Sequence, residues 1–272
     1  MYQTHYIMEH AEEADRLDLK TDRGSVQKQA LWAGIRPGMR VADIGCGSGK
    51  TTQFLYQLIQ PGGEIVGVDA SQSRISHAEA HYGAEGIRFA CRDFYEPLQT
   101  LGAFDFIWVR FVLEYHRSKA GQIVANLLQI LKPGGILFLA DLDHNCLNHF
   151  GLSDRLDEAL KAIMQKMETD HDFDPYAGRK LYSYMYDLGL KDIAVEVAPH
   201  HLIYGELSDI DNYNWTRKLE VAVRNSGYRF ETYQGGYQEF LEEFRAFFAD
   251  PRRFTYTPII CCRGEKPMSV AN

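Results

Sequence analysis

Three glycines at alternate positions follow an acidic residue in the first fifth of the chain. Asp43 precedes Gly45, Gly47 and Gly49, which gives the pattern GxGxG, and Lys50 stands where a GxGxxG fingerprint would have its third glycine. Glycines in this spacing allow the backbone to turn sharply and a ligand to approach it closely. A loop that holds a pyrophosphate on helix N–H groups would be opposed by the negative charge of Asp43. The pattern therefore favours a ligand with an ammonium or sulfonium group.

A second acidic residue lies at the distance expected for a ribose ligand. Asp69 ends the apolar segment 65–68 and follows Gly49 by twenty residues. A carboxylate at the end of the strand after a glycine loop can accept hydrogen bonds from both hydroxyls of a ribose. The alternatives are an acid that caps the next helix and, for the glycines, a tight strand-to-helix turn without a ligand.

Residues 41–49 resemble the first motif of the class I S-adenosylmethionine (SAM)-dependent methyltransferases, which is an acid, an apolar residue and GxGxG. Asp69 lies where this family binds the ribose of SAM. The resemblance covers roughly residues 36–145. It implies that SAM lies over the glycine loop, with its ribose on Asp69 and its adenine near Asp93 and Phe94. The product would be S-adenosylhomocysteine. The residues expected to contact the cofactor are Asp43, Gly45, Cys46, Gly47, Gly49, Asp69, Ala70, Arg74, Arg92, Asp93, Phe94, Arg110 (through its backbone) and Tyr6.

The segment after the fourth strand carries the candidate for proton transfer. His116 could take a proton from a phenol or carboxyl-type acceptor near pH 7, and the alternative is a surface histidine at the start of the next helix. The segment lacks the Asn/Asp-Pro-Pro-aromatic tetrapeptide of enzymes that methylate amino groups on bases. Asp141, Asp143 and His144 could suggest a metal site. However, successive side chains at a strand end point apart and no fourth ligand is evident, so no metal is expected.

The composition limits the kinds of partner. The chain has 272 residues, 45% of them hydrophobic, and a formal net charge of −8 from 29 basic and 37 acidic residues. Without a basic run, this charge argues against a nucleic-acid partner. No segment approaches the roughly 18 apolar residues of a membrane span. Five cysteines without CxxC spacing and an N-terminus without a signal-peptide pattern predict a cytoplasmic protein with reduced thiols.

The order of the elements predicts the fold class. Short apolar strands alternate with amphipathic helices up to residue 145, which is typical of βαβ units in a parallel sheet. We therefore predict an α/β fold, in which one doubly wound, mostly parallel seven-stranded sheet has an N-terminal lid and helical cap insertions. The chain is predicted to be a single domain over 1–272. Its parts are a lid over 1–35, a SAM-binding core over 36–145, cap insertions over 146–190 and 205–250, and C-terminal strands over 191–204 and 254–263.

The expected activity is transfer of a methyl group from SAM to a small molecule by in-line displacement. The sulfonium already activates the methyl group, so alignment and exclusion of water are the main requirements. The insertions are rich in aromatic residues, which predicts a cap over a partly aromatic or apolar acceptor. These residues are Tyr176, Tyr182, Tyr184, Tyr186, Tyr213, Trp215, Phe230, Tyr233 and Tyr237. The alternatives are a protein methyltransferase, an NAD(P)-dependent oxidoreductase and a non-enzymatic interaction module. No membrane partner is expected, and a homodimer is left open.

Overall fold

The computed structural model describes residues 17–18 and 21–268 of the chain. The strands are β1 (Arg40–Ile44), β2 (Glu64–Asp69), β3 (Ile87–Cys91), β4 (Phe104–Arg110), β5 (Leu131–Leu142), β6 (His149–Phe150), β7 (Lys191–Tyr204) and β8 (Phe254–Glu265). The α-helices are α1 (Arg23–Ala33), α2 (Lys50–Leu58), α3 (Gln72–Tyr82), α4 (Ala120–Ile130), α5 (Asp154–Asp170), α6 (Leu181–Asp187), α7 (Asp209–Ser226) and α8 (Gly236–Ala249). None of these described helices combines the length and apolar character needed to cross a membrane.

The strands form one mixed sheet with the order β3-β2-β1-β4-β5-β8-β6, and β7 also pairs with β8. Strands β1 to β5 run parallel, whereas β8 is antiparallel to β5 and β7. The α/β class with a mostly parallel sheet is confirmed. The described residues form eight strands rather than the seven predicted, because β6 adds a two-residue pairing with Thr255 and Phe254. Two residues are too short for an alternating pattern to be seen in the sequence.

Helices cover both faces of the sheet. Side chains alternate along a strand, so Val41 of β1 packs in one core cluster and Ala42 packs in the other. The first cluster includes Val26 of α1 and Leu55 of α2, and the second includes Leu127 of α4. Burial on both faces explains why these strands read as continuous apolar runs. Because β1 to β5 pair in parallel, their carboxyl ends lie side by side at one edge of the sheet.

Helices α5, α7 and α8 form a cap with its own apolar core. Ile163 of α5, Trp215 of α7 and Phe244 of α8 share one buried cluster. Phe240 and Phe244 are 0% and 1% exposed, so the phenylalanine side of α8 is a packing face. The three amphipathic helices need this core because they extend beyond the sheet and must bury their apolar faces on one another.

The expectation that the aromatic residues of the insertions line an acceptor pocket is only partly met. Four of them belong to the cap core or pack against it, namely Trp215, Tyr233, Phe230 and Tyr237. Three others are exposed, namely Tyr182, Tyr186 and Tyr213. A cap that must fill its own interior uses aromatic residues for that purpose, so aromatic content alone does not locate a binding pocket.

Candidate functional site

The glycine loop between β1 and α2 is pressed between two other parts of the chain. The φ angles of Gly45, Gly47 and Gly49 are 73°, 56° and 91°. A Cβ on Gly45 would lie 2.3 Å from Cγ2 of Val112, and a Cβ on Gly49 would lie 2.8 Å from Cβ of Ala78. The loop therefore requires glycine for its left-handed backbone and for its close contacts.

Asp69, at the carboxyl end of β2, is bonded to the glycine loop. Its Oδ2 accepts a hydrogen bond from the Gly47 N–H at 3.0 Å, and its Oδ1 accepts one from the Ser71 N–H at 2.9 Å. The Arg74 guanidinium donates to the same Oδ1 from Nε at 3.1 Å and from Nη2 at 2.9 Å. Arg74, expected to contact the cofactor, thus contacts Asp69 and holds its carboxylate beside the loop.

The other residues expected around the ribose and the adenine leave the sheet at the ends of β2 and β3. The parallel register of these strands brings their ends together, so Ala70, Arg92 and Asp93 lie at one edge, where all three are exposed. Phe94 is 6% exposed and packs in the core cluster that includes α4. Asp93 accepts a hydrogen bond from the Tyr95 N–H at 2.9 Å. An exposed carboxylate next to a buried aromatic ring is compatible with adenine recognition.

Asp43 lies beneath the loop and is bonded to α2. The Thr52 hydroxyl donates to Asp43 Oδ2 at 2.6 Å, and Asp43 is 2% exposed. Burial raises the pKa of Asp43 to about 7, while the Thr52 hydrogen bond opposes this rise and the negative charge of Asp69 adds to it. Burial also raises the pKa of the neighbouring Cys46 thiol, which therefore stays protonated. A cation bound above the loop would favour the ionised form of Asp43.

The substitution Asp43→Asn should change how the stability depends on pH. The folded pKa of about 7 lies above the ordinary value of 3.8, so the stability that Asp43 contributes at low pH is lost as the pH rises toward 7. Asparagine is uncharged and can still accept from Thr52. We expect the variant to gain stability over the wild type by about 1–3 kcal/mol between pH 4.5 and pH 7, with no further gain above pH 7. Urea unfolding across this range measures the difference, and a difference that does not depend on pH would contradict it.

His116 is held at the adenine side of the edge. Its Nδ1 lies 2.6 Å from the Tyr95 hydroxyl, and its ring meets Phe94 edge-on with the centroids 6.2 Å apart. Burial lowers the pKa of His116 to about 4, and the charges of Asp172 and Asp93 oppose this fall. Burial also raises the pKa of Tyr95 to about 12. An imidazole with so low a pKa accepts a proton weakly at pH 7, so the geometry does not favour His116 as a general base.

Arg110 leaves the end of β4 toward α1. Its Nε donates to Gln29 Oε1 at 3.1 Å, and its guanidinium lies 4.1 Å from the centroid of the Phe111 ring. Burial lowers the pKa of Arg110 to about 10, and neighbouring acidic groups oppose this fall. The side chain of Arg110 thus anchors the start of the loop after β4. Only the backbone of Arg110 is left for the expected contact with the cofactor.

An acidic network that the sequence did not reveal lies at the ends of β4 and β5. Asp141 is 1% exposed, and its Oδ2 accepts from the Leu113 N–H at 3.0 Å. Glu114 Oε2 accepts from Asn145 Nδ2 at 3.0 Å. Burial raises the pKa of Asp141 well above its ordinary value, and the neighbouring charge of Glu114 adds to the rise. The network fixes the loop that presses on the glycine loop. An acid at the end of an apolar strand is the sequence signal that could have found it.

Asp143, considered above as a metal ligand, is bonded to an arginine. Its two carboxylate oxygens accept from Nε and Nη2 of Arg179, both at 2.8 Å. His144 Nε2 lies 4.0 Å from the same carboxylate. Nearby, Asp174 is 1% exposed and is paired with Lys180. These bidentate and single ion pairs tie the end of β5 to the first part of the cap.

Most of the predicted lid, Tyr6 included, lies outside the described residues. The described residues Leu17 and Asp18 contact the glycine loop and the helix after it. A Cβ on Gly47 would lie 2.9 Å from Cδ1 of Leu17. The Asp18 carbonyl oxygen accepts a hydrogen bond from Lys50 Nζ at 2.5 Å. This pair of residues therefore covers one side of the loop.

Comparisons with known proteins agree with this geometry. Residues 41–135 match the family model described as "Methyltransferase domain". The ubiquinone biosynthesis O-methyltransferase of Bradyrhizobium sp. (strain ORS 278) is 33% identical over 110 residues, which cover 40% of this chain and 42% of that protein. The arsenite methyltransferase of Aquipseudomonas alcaligenes is 34% identical over 115 residues, which cover 39% of this chain and 33% of that protein. The chain therefore spans less than half the length of these curated relatives.

A solved structure supports the fold over nearly the whole chain. Phosphoethanolamine N-methyltransferase 2 of Haemonchus contortus, solved in complex with SAM, superposes with a TM-score of 0.54 and 16% identity over 90% of this chain and 53% of that chain. At this identity the likeness concerns the fold alone. The matched residues include the glycine loop, Asp69 and Asp93, whereas the cap follows them in the chain. Residues 41–135 thus form a methyltransferase domain, and its acid, glycine loop and Asp69 resemble those of the class I SAM-dependent methyltransferases.

Proposed function

We propose that the chain transfers a methyl group from SAM to a small-molecule acceptor. The observation that carries this proposal is the carboxylate of Asp69, which is held against the Gly47 N–H at the end of β2. Its position relative to the glycine loop suits a ribose whose hydroxyls donate to Oδ2. SAM, when bound, supplies a methyl group that its sulfonium already activates.

The chain's own residues would bind and orient the two reactants. Asp69 would accept the ribose hydroxyls while Arg74 keeps its charge paired, and Asp93 would accept from the amino group of adenine. Asp43 would offset a positive charge above the loop, because a nearby cation favours its ionised form. The edge beyond β4 and β5 is left for the acceptor, as in other open α/β sheets.

The small-molecule acceptor is supported by the cap and by the relatives. Helices α5, α7 and α8 extend beyond the sheet beside the end of β5, where a roof over a small ligand would be expected. The names of the two curated relatives, ubiquinone biosynthesis O-methyltransferase and arsenite methyltransferase, point to small acceptors for those proteins. The excess of 37 acidic over 29 basic residues argues against a nucleic-acid acceptor, although it leaves room for a local basic patch.

Labelling with methyl-labelled SAM tests the proposal. The protein is incubated with a cell extract that has been separated into low-molecular-weight and macromolecular fractions. We expect the label in the low-molecular-weight fraction, and much less of it with the Asp69→Ala variant when the SAM concentration is below saturation. Label in the protein fraction alone would favour a protein methyltransferase instead. Binding of NAD but not of S-adenosylhomocysteine, measured in parallel, would favour the oxidoreductase.

We also propose that the N-terminal lid over 1–35, to which Asp18 belongs, closes over the cofactor and excludes water. The Tyr82 hydroxyl donates to Asp18 Oδ2 at 2.6 Å, and His77 Nε2 lies 3.7 Å from the same oxygen. Tyr82→Phe removes only the first contact. We expect it to weaken S-adenosylhomocysteine binding by about three- to tenfold, since one hydrogen bond contributes about 0.5–1.5 kcal/mol.

Calorimetry on Tyr82→Phe, with Tyr56→Phe as the matched control, measures this effect. The Tyr56 hydroxyl donates to the Glu85 carbonyl oxygen at 2.8 Å, so the control loses a comparable hydrogen bond elsewhere. Equal affinities for the two variants would show that the contact with Asp18 does not serve cofactor binding.

A further inference from the structure

A small cavity inside the cap is lined by two hydrogen-bond donors for which the described part of the chain supplies no acceptor. The cavity measures about 30 Å³, and residues that line it include Cys146, His149, Met164, Trp215, Lys218 and Phe244. Lys218 Nζ and Trp215 Nε1 are buried, and neither has a hydrogen-bond partner among the described residues. Trp215 as a whole is 3% exposed, and the Lys218 ammonium lies 5.4 Å from the centroid of its ring.

Burial of these two donors without acceptors lowers the stability of the folded chain. A buried ammonium without a counter-ion costs free energy, and a buried indole N–H usually has an acceptor. His149 cannot serve as that acceptor, because its Nδ1 contacts Thr255 Oγ1 at 2.8 Å and its Nε2 contacts the Cys146 carbonyl oxygen at 3.2 Å. The described lining contains no carboxylate. A group with several acceptor oxygens and a negative charge would satisfy both donors and offset the charge of the ammonium.

The cavity lies where an acceptor molecule would be held. Cys146, which lines it, follows β5 and packs against a buried cluster that includes Met164 of α5. Tyr115, from the loop after β4, packs against the same cluster. The cavity thus lies in the cap next to the segments that follow β4 and β5, on the side of the sheet where ligands bind in open α/β folds. Apart from the two donors, most of the lining is apolar, as expected for a ligand whose body is apolar.

We propose that this cavity binds the carboxylate of the methyl acceptor, with Lys218 and Trp215 as its donors, so that the acceptor is a small apolar carboxylic acid. The identity of this ligand as the acceptor rests on the proposed methyl transfer, whereas the carboxylate site itself does not. A buried water needs about 10–15 Å³ of such space, so the cavity has room for a carboxylate but not for a ring. The body of the ligand would lie outside it, toward β4 and β5.

Binding of two probes of the same shape tests the site without any methyl transfer. Benzoate and benzamide differ only in that the first carries a carboxylate and the second a neutral amide. We expect calorimetry to show benzoate binding to the full chain at least about tenfold more tightly than benzamide, because charge-assisted hydrogen bonds are the stronger ones. Lys218→Met should remove this preference and Lys218→Arg should keep it. Lys161→Met, which removes an exposed lysine paired with Asp157 on α5, should leave it unchanged.

The melting temperature gives a second readout that does not depend on the probe. Methionine keeps the length of the side chain and removes the unpaired charge, so Lys218→Met should melt at or above the wild-type temperature. A clearly lower melting temperature would show that the ammonium has a structural partner and would overturn the proposal. Equal affinities of the wild type for benzoate and benzamide would also overturn it.

S-adenosylhomocysteine binding, measured on the same samples, separates this inference from the proposed activity. If the wild type binds S-adenosylhomocysteine but does not prefer benzoate, the carboxylate site is wrong and the proposed function stands. If it prefers benzoate but does not bind S-adenosylhomocysteine, the carboxylate site stands and the proposed methyl transfer is wrong.

Discussion

Gly45→Ala is expected to destabilise the chain by roughly 2–5 kcal/mol and to prevent cofactor binding. The left-handed backbone at φ 73° costs an alanine about 1–2 kcal/mol, and the new Cβ would lie 2.3 Å from Val112 Cγ2, which adds about 1–3 kcal/mol of overpacking. If the loop rather than the Val112 side chain moves to relieve this clash, the Gly47 N–H shifts relative to Asp69, and the cofactor site is lost. Urea unfolding and calorimetry with S-adenosylhomocysteine measure the two effects.

A double-mutant cycle separates the two causes. Val112→Ala removes the atom that the new Cβ would meet, so Gly45→Ala combined with Val112→Ala should recover the overpacking part of the loss but not the backbone part. Val112→Ala alone is the control for the lost side chain. Strictly additive losses would show that the contact between the two loops is not what requires glycine at position 45.

Asp69→Ala is expected to lower the affinity for S-adenosylhomocysteine about ten- to hundredfold. The reason is the loss of charge-assisted hydrogen bonds to the ribose hydroxyls, which contribute about 1.5–3 kcal/mol. The same change leaves the Arg74 guanidinium without its carboxylate in a site where its side chain is 10% exposed. We expect a loss of folding stability of about 2–4 kcal/mol, because this ion pair is nearly buried and only one of its two charges is removed.

The effect on affinity can be distinguished from the effect on stability. Asp69→Ala combined with Arg74→Met removes both charges, so it should recover most of the stability but none of the affinity. Arg74→Met alone should lower stability and leave the carboxylate free to accept. Unchanged S-adenosylhomocysteine affinity in a folded Asp69→Ala protein would refute the placement of the ribose.

The sheet and the glycine loop could be predicted because their causes are local in the sequence. Apolar runs such as β2 and β5 give the strands, and the alternation with helices gives their parallel order. The acid before the loop and Asp69 after the next strand point to the same edge, because the carboxyl ends of parallel strands lie side by side. Arg74 was expected to contact the cofactor. Its pairing with Asp69 depends on the first turn of α3, which a motif does not describe.

Other features of the site depend on contacts between distant parts of the chain. Asp141 and Glu114 meet because β4 and β5 are neighbours, and no spacing in the sequence shows that they share a buried network. His116 looks like a free base in the sequence, yet its contact with Tyr95 and its burial lower its pKa to about 4. The role of Trp215 could not be predicted either, because its ring belongs to the cap core while its N–H has no hydrogen-bond partner within residues 17–18 and 21–268.

A crystal structure of the chain with S-adenosylhomocysteine tests the central claim most directly. We predict that the ribose hydroxyls lie within hydrogen-bond distance of the Asp69 carboxylate and that the adenine lies beside Asp93 and Phe94. The sulfur should face the ends of β4 and β5, next to the segment that leads to Cys146. S-adenosylhomocysteine bound away from residues 45–49, or bound there with its ribose out of reach of Asp69, would contradict the proposed site.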